Sequence, residues 1–522
     1  MPRQDARSRT RLLAGVVLIG VSGLWLGGLG RAEVPPALPD ALQPDLSDPA
    51  VPAPSAYPMR MFATPERFED RPAGVATIER VNDQTAFSRP SRLLTGDARL
   101  EFELGHALFR KLWIAAPAST KASDGLGPYY NARSCESCHR RDGRGHLPEA
   151  SDKTAVSILL RLSVPALGSD ALGSDAPAIE GWLATAPHPL LGGQLQDFAA
   201  PGLPVEGKLS LSYATRVETL PDGTKVELRR PIPGIVVEGQ VFDDPSLMTS
   251  LRIAPQMIGL GLLEAIPEET ILALADPDDR DQNGISGRAQ IVPSVEYDRP
   301  MLGRFGWKAG SPTLRDQTAA AFSGDMGLST PLYPQPWGDC TPAQRACRTA
   351  PHGQDDGLRD GREVDSKALA VLAGYTRNLG VPARARAADA DVLLGKARFY
   401  QSGCVGCHVP KHVIPRADDP GRSNPQVIWP YTDLLLHDMG PELADHRPEG
   451  RASGQEWRTP PLWGIGLTEQ VSGRMSLLHD GRARSMTEAI LWHGGEAEAA
   501  RLAFVSLPAV ERAAVVAFLE SL

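Results

Sequence analysis

Apolar positions recur at helical spacing in three parts of the chain. Val392-Leu-Leu-Gly395-Lys-Ala-Arg-Phe399-Tyr400 sets apolar groups at i, i+3, i+4 and i+7, the stripe of an amphipathic helix, and it runs into a loop at Cys404. Gly105-His-Ala-Leu-Phe109, continued by Leu112 and Trp113, repeats that pattern ahead of Cys135, with a polar stretch from Ala118 to Asn131 in between. Ala509 to Leu522 places Val510, Ala513, Ala514, Ala517 and Phe518 on one helical face. Between Val156 and Gln240 the period changes. Ile158 to Leu162, Lys208 to Tyr213, Lys225 to Leu228 and Ile235 to Val241 are short apolar runs separated by turns such as Pro221-Asp-Gly223, which predicts strands. At the start, Arg3, Arg7, Arg9 and Arg11 precede an apolar run from Leu12 to about Leu29, and a polar, Pro-rich segment follows from near Ala32. That is the order of a secretory signal. The run is nearly long enough to cross a bilayer, so an uncleaved anchor over residues 12–30 is the alternative. Pro35 to Tyr57 reads as an extended lead-in.

Chemistry enters with two pentapeptides, Cys135-Glu-Ser-Cys138-His139 and Cys404-Val-Gly-Cys407-His408. Cys-x-x-Cys-His is the spacing that attaches haem c: two thiols add to the haem vinyl groups and the adjacent histidine becomes the proximal iron ligand. A thioredoxin-like redox pair or half a zinc site would need no histidine after the second cysteine, and two copies make coincidence a poor explanation. The fold expected is therefore mainly α, with two cytochrome c-like haem domains, the first carrying a β-rich insertion. Residues 1–32 form the signal or anchor, 33–90 the lead-in, 91–365 the first haem domain with its insertion at about 156–241, and 366–522 the second.

Of the six cysteines, four belong to the motifs. The remaining pair, Cys340 and Cys347, reads as a small disulfide loop suited to an oxidising compartment; two buried free cysteines are the alternative. Together with the export signal this points to the periplasm. A formal net charge of −9 and the lack of a basic cluster after the signal give no indication of nucleic acid. A membrane is involved only if the N-terminal segment stays attached.

In the Asp-rich loop 276–287, Asp279, Asp281, Asn283 and Gly284 match the start of a calcium loop, with oxygen ligands at alternate positions and glycine making the turn. The place of the bidentate glutamate is taken by Gln290, and an Asx-rich turn held by its own side chains explains the same composition.

Several longer strings carry a family resemblance. They are Gly303-Arg-Phe-Gly-Trp307-Lys-Ala, Gln317-Thr-Ala-Ala-Ala-Phe322, Asp325-Met-Gly, Tyr431-Thr-Asp-Leu-Leu-Leu-His437-Asp-Met-Gly440, Arg458-Thr-Pro-Pro-Leu-Trp463 and His479-Asp-Gly-Arg482 through Trp492-His493-Gly-Gly-Glu496. With them the chain resembles the di-haem oxidoreductase family of peroxidases and thiol oxidoreductases over nearly its whole length after the signal. Its C-terminal part is also similar to bacterial di-haem cytochrome c peroxidases and to the di-haem enzyme of methylamine utilisation. The resemblance implies a division of labour in which the C-terminal haem stores and passes electrons and the N-terminal haem reacts with peroxide.

It also implies where the sixth ligand of the second haem stands. Aligning the relatives' His-Asp-Gly turn on His479-Asp-Gly brings His493 to a position that holds Met in the peroxidases and Tyr in the methylamine enzyme. Met439 is the competing ligand, and a structural histidine is the plainer reading of His493. At the first haem an open or displaceable site is expected; His146 could reach the iron, but a solvated loop histidine is the simpler account. Gln317 and Glu264 are weak candidates for assisting chemistry there, and Trp307 for an electron relay, although packing is the default task of a buried aromatic.

The expected function is an exported di-haem c oxidoreductase of peroxidase type. It would take electrons from a small periplasmic donor, a cytochrome c or cupredoxin, and deliver them to peroxide or another small oxidant. The alternatives are a non-catalytic two-haem electron carrier and an oxidase of a sulfur compound or protein side chain.

Overall fold

The computed structural model describes residues 57–148, 157–166, 179–183, 185–355, 357–415 and 425–522. The expected signal or anchor and nearly all of the Pro-rich lead-in lie outside these residues. Among the described residues no helix is long and apolar enough to cross a membrane.

Two helix crossings organise the molecule, and each is made possible by a glycine. Helix α1 (Gly96–Arg110) packs on α4 (Ser366–Arg377), and α5 (Ala390–Gln401) packs on α7 (Ala509–Ser521). A side chain at Gly105 would run into Tyr375, and one at Gly395 would collide with the Ala514 carbonyl. Four residues beyond each glycine, and so on the same helical face, a phenylalanine fills the crossing: Phe109 lies 5.3 Å from Tyr375 and Phe399 5.1 Å from Phe518, between ring centroids. Asp365 caps α4 by accepting from Ala368 N–H at 2.7 Å, which satisfies an otherwise orphaned amide. Helix α4 also packs on α3 (Leu314–Met326).

The buried face of α7 differs from the sequence expectation. Ala514, Val515, Phe518 and Leu519 are buried, whereas Val510 is 70% exposed and Ala513 is exposed too. The crossing at Gly395 fixes Ala514 and Phe518 inward, which turns the expected stripe by about a residue. Leu112 is likewise exposed while its neighbour Trp113 is buried.

Strands predicted after the first motif are present, with different bounds. β1 (Ile158–Pro165) pairs antiparallel with β5 (Met248–Ile253), Ile158 opposite Ile253. β2 (Lys208–Thr219) and β3 (Lys225–Val237) form a long hairpin with Thr219 opposite Lys225. The run expected as one strand from Ile235 to Val241 breaks at Glu238-Gly239, both at positive φ, and resumes as β4 (Gln240–Phe242) folded back on β3.

The hairpin reaches across the molecule. Its Leu220 and Leu228 are buried in one core cluster with Val405, Trp492 and Phe504 of the C-terminal half. Ion pairs Arg501–Glu218 (3.0 Å) and Arg512–Asp222 clamp its end. A second cluster surrounds the first motif with Phe102, Phe109, Phe322 and Tyr375. Trp307 and Trp457 belong to a further cluster with β1 and β5. Helix takes 29% and strand 20% of the structure. The Cys340 and Cys347 sulfurs are joined, with Cα atoms 6.2 Å apart.

Candidate functional site

Both Cys-x-x-Cys-His segments are single helical turns that present their histidine in the same way. At the first, Ser134 Oγ accepts from Ser137 N–H and His139 N–H donates to Cys135 O at 2.9 Å. At the second, Gly403 enters at φ 84° and His408 N–H donates to Cys404 O at 3.0 Å. His139 Nδ1 lies 2.8 Å from Pro255 O, and His408 Nδ1 2.9 Å from Tyr431 O. A carbonyl only accepts, so each Nδ1 carries the proton and each Nε2 keeps its lone pair for a metal. The helix phenylalanines flank both rings alike: Phe109–His139 at 6.4 Å and 52°, Phe399–His408 at 6.3 Å and 51°.

Electrostatics favours the same chemistry. Burial pushes His408 down to about 4 against the help of the Tyr431 carbonyl, and it lowers His139 as well. Both are neutral imidazoles at ordinary pH. Burial raises the thiols, Cys135 and Cys404 each to about 12, and these two, with Cys138 and Cys407, stay outside any disulfide. Neutral thiols, accessible in part at Cys135, Cys404 and Cys407, paired with an oriented neutral imidazole form a donor set that fits haem.

His493 follows α6 (Met486–Leu491), and its Nδ1 lies 2.7 Å from Ala489 O, one turn back. This is the same hydrogen bond as in the two motif histidines, and it again leaves Nε2 available. Burial lowers His493, and its charge in turn helps to depress His408, which places the two imidazoles in one electrostatic environment. Met439 is close by: its carbonyl would be 3.2 Å from a side-chain carbon at Gly494, and its side chain packs against both the second-motif cluster and the Trp307 cluster. His146 Nδ1 lies 3.1 Å from Leu147 O.

Trp307 is buried and donates from Nε1 to Ile253 O at 2.8 Å. Gln317 lies near the adjacent Gly306 turn, its Oε1 3.9 Å from the place of a Gly306 side chain. Glu264 is committed elsewhere, since Oε1 accepts from Leu314 N–H and Oε2 pairs with Arg377 at 2.8 Å. It caps α3.

In the Asp-rich loop, carboxylate oxygens of Asp276, Asp279 and Asp281 lie within 4.8 Å of one another. Beside them, Asn283 Nδ2 donates to Asp281 and its Oδ1 accepts from Ile285 N–H. Gln290 is fully buried and holds Lys308 O, Glu449 O and Arg451 N–H, which removes it from any cation loop. The loop's end lies against the second motif, with Ile285 facing Gly406 and Ser286 donating to Glu496.

Three buried residues had no role assigned from sequence. His437 sits between Asp433 (2.8 Å) and Glu496 (2.7 Å) beside Cys407. Burial opposes its charge, but its neighbours hold it well above the ordinary histidine range. The Arg144 guanidinium stands near the Trp307 ring, and Arg458 N–H donates to Trp307 O. The Asp433–His437 spacing of four and an arginine just past the first motif were the available signals.

Residues 70–522 match the family model described as "Di-haem oxidoreductase, putative peroxidase". No curated protein matches the chain. Among solved structures, Kuenenia stuttgartiensis hydrazine synthase pressurised with xenon is similar at 18% identity and a TM-score of 0.21, over 31% of this chain. The match spans 57% of the hydrazine synthase chain.

Proposed function

The chain belongs to the di-haem oxidoreductase family, and from that premise we propose that it is an exported enzyme of peroxidase type carrying two covalent haem c groups. Cys135 and Cys138 would attach the first, with His139 as proximal ligand. Cys404 and Cys407 would attach the second, with His408 and His493 as the residues that would ligate its iron. The observation that carries this reading is the repeated hydrogen bond from Nδ1 to a main-chain carbonyl at His139 and His408.

When bound, such a haem supplies one-electron storage and, where its sixth position is exchangeable, a Lewis-acid site for a small oxidant. The protein residues do the rest. The Pro255 and Tyr431 carbonyls fix the tautomer and rotation of the proximal rings, and Phe109 and Phe399 flank them. Electrons from a small periplasmic cytochrome c or cupredoxin would enter at the His408 side and leave at the His139 side, where two electrons and two protons convert hydrogen peroxide to two waters. Asp276, Asp279 and Asp281 are the residues that would hold calcium, and residues 1–32 would direct export.

A two-haem electron carrier is the second reading. It is favoured by His146, whose Nδ1 also lies on a carbonyl and leaves Nε2 available. Electron paramagnetic resonance on the purified protein, fully ferric and after one-electron reduction, separates them. A high-spin signal in either form together with peroxide turnover supports the peroxidase; low-spin signals that peroxide leaves unchanged support the carrier.

A further inference from the structure

Buried cations in this fold are usually met by a carboxylate: Lys308 by Asp445 (2.8 Å), Lys396 by Glu69 (2.7 Å), Arg482 by Asp480 (2.8 Å) and Arg384 by Glu69. Arg144 and Arg458 depart from this rule. Arg144 is 4% exposed, and among the described residues its guanidinium meets neither a hydrogen-bond acceptor nor a carboxylate. Its Nε is buried without a partner, and its Cζ lies 5.8 Å from the Trp307 ring centroid. Arg458 is 6% exposed and reaches only main-chain carbonyls, Gly306 O and Thr459 O, both at 2.9 Å, while its own N–H donates to Trp307 O at 2.9 Å. Burial lowers both guanidinium groups to about 10; at Arg458 the nearby Asp433 charge works against that lowering, and the charge of Arg144 adds to it. Burying a cation without a contacting carboxylate is unfavourable, and a second cation within electrostatic reach adds to that. Such a pair is stable when an anion is brought to it.

Each arginine is tied to a different motif. Arg144 lies on the turn that leaves His139, anchored where its N–H donates to Ser472 Oγ at 2.9 Å. Arg458 lies on β7 (Glu456–Arg458), paired with Leu436 of β6 (Leu436–Asp438). Just before β6, Asp433 N–H donates to Cys407 O at 3.1 Å. We propose that Arg144 and Arg458 are receptors for the carboxylate (propionate) groups of the two haems, Arg144 for the haem at His139 and Arg458 for the haem at His408. The anionic edges of both cofactors are then held beside Trp307. This rests on the reading that both motifs carry haem.

A cation close to a haem favours the reduced, less positive iron, so removing it lowers the midpoint potential. The test is a redox titration, followed by electron paramagnetic resonance so that the two haems are told apart, on intact haem-loaded protein and its R144Q and R458Q variants. Haem content is counted separately as the pyridine haemochrome. The expected result is two haems per chain throughout, with R144Q lowering the potential of the His139 haem most and R458Q that of the His408 haem. Unchanged potentials in fully loaded glutamine variants overturn the proposal. Wild-type protein without covalent haem would instead overturn the reading beneath it. If a glutamine variant does not mature, its lysine counterpart decides: a point charge in place of a two-pronged contact should lower the same haem's potential by a smaller amount, and no shift counts against the proposal.

Discussion

The imidazole of His479 lies flat on the indole of Trp457, with ring centroids 3.6 Å apart and planes within 9°. Trp457 is fixed by its Nε1–H, which donates to Leu443 O at 3.0 Å, and Lys308 Nζ stands 4.5 Å from its ring. Burial pushes His479 down to about 4, so the stack is neutral at working pH. The His479-Asp480-Gly481 turn that it holds leads into α6 and so to His493. Replacing Trp457 by alanine removes one wall of that turn. Denaturant titration should show a loss of about 3–5 kcal/mol, and the low-spin signal of the second haem should broaden.

His493→Met should raise the midpoint potential of the second haem, because His/Met ligation lies above bis-histidine ligation. The readout is a potentiometric titration with optical detection. An unchanged potential would remove His493 from the iron.

Glu206 supplies a pH test. It is 8% exposed, with Oε2 accepting from Gln196 N–H at 2.7 Å and Oε1 from Gln344 Nε2 at 2.5 Å. Burial raises it to about 8. The folded protein therefore holds a proton there that the unfolded chain releases near pH 4, so this residue's contribution to stability falls as pH rises from about 4 to about 8. Glu206→Gln, which cannot ionise, should abolish that slope. Unfolding midpoints measured across this range, with and without the substitution, provide the check.

Leu228 is fully buried among residues of the C-terminal half. Leu228→Ala should cost about 2–5 kcal/mol, and hydrogen exchange should show the loss of protection around Trp492 and Phe504 as well as in the hairpin. Protection lost in the hairpin alone would mean that the two are not coupled.

Local pattern carried much of this structure. The helical stripes ending at Phe109 and Phe399 and the strands after Ile158 were legible because helix and strand periods are written in neighbouring residues. The two motifs were legible for the same reason. The inward face of α7 was not, because Ala514 is set inward by a glycine on another helix. Nor was the break at Gly239, where a tight turn reverses an otherwise continuous apolar run. Arg144, Arg458 and the Asp433–His437–Glu496 triad acquire meaning only from residues distant in sequence.

The hairpin β2–β3 has a consequence for assembly. Leu220 and Leu228 are made early in synthesis, yet Trp492 and Phe504, against which they pack, are made near the end. Until then the emerging chain carries a bare greasy finger that can pair with the wrong surface. Correct maturation is therefore a matter of timing: the hairpin must be kept from neighbouring chains until the last helices arrive to receive it.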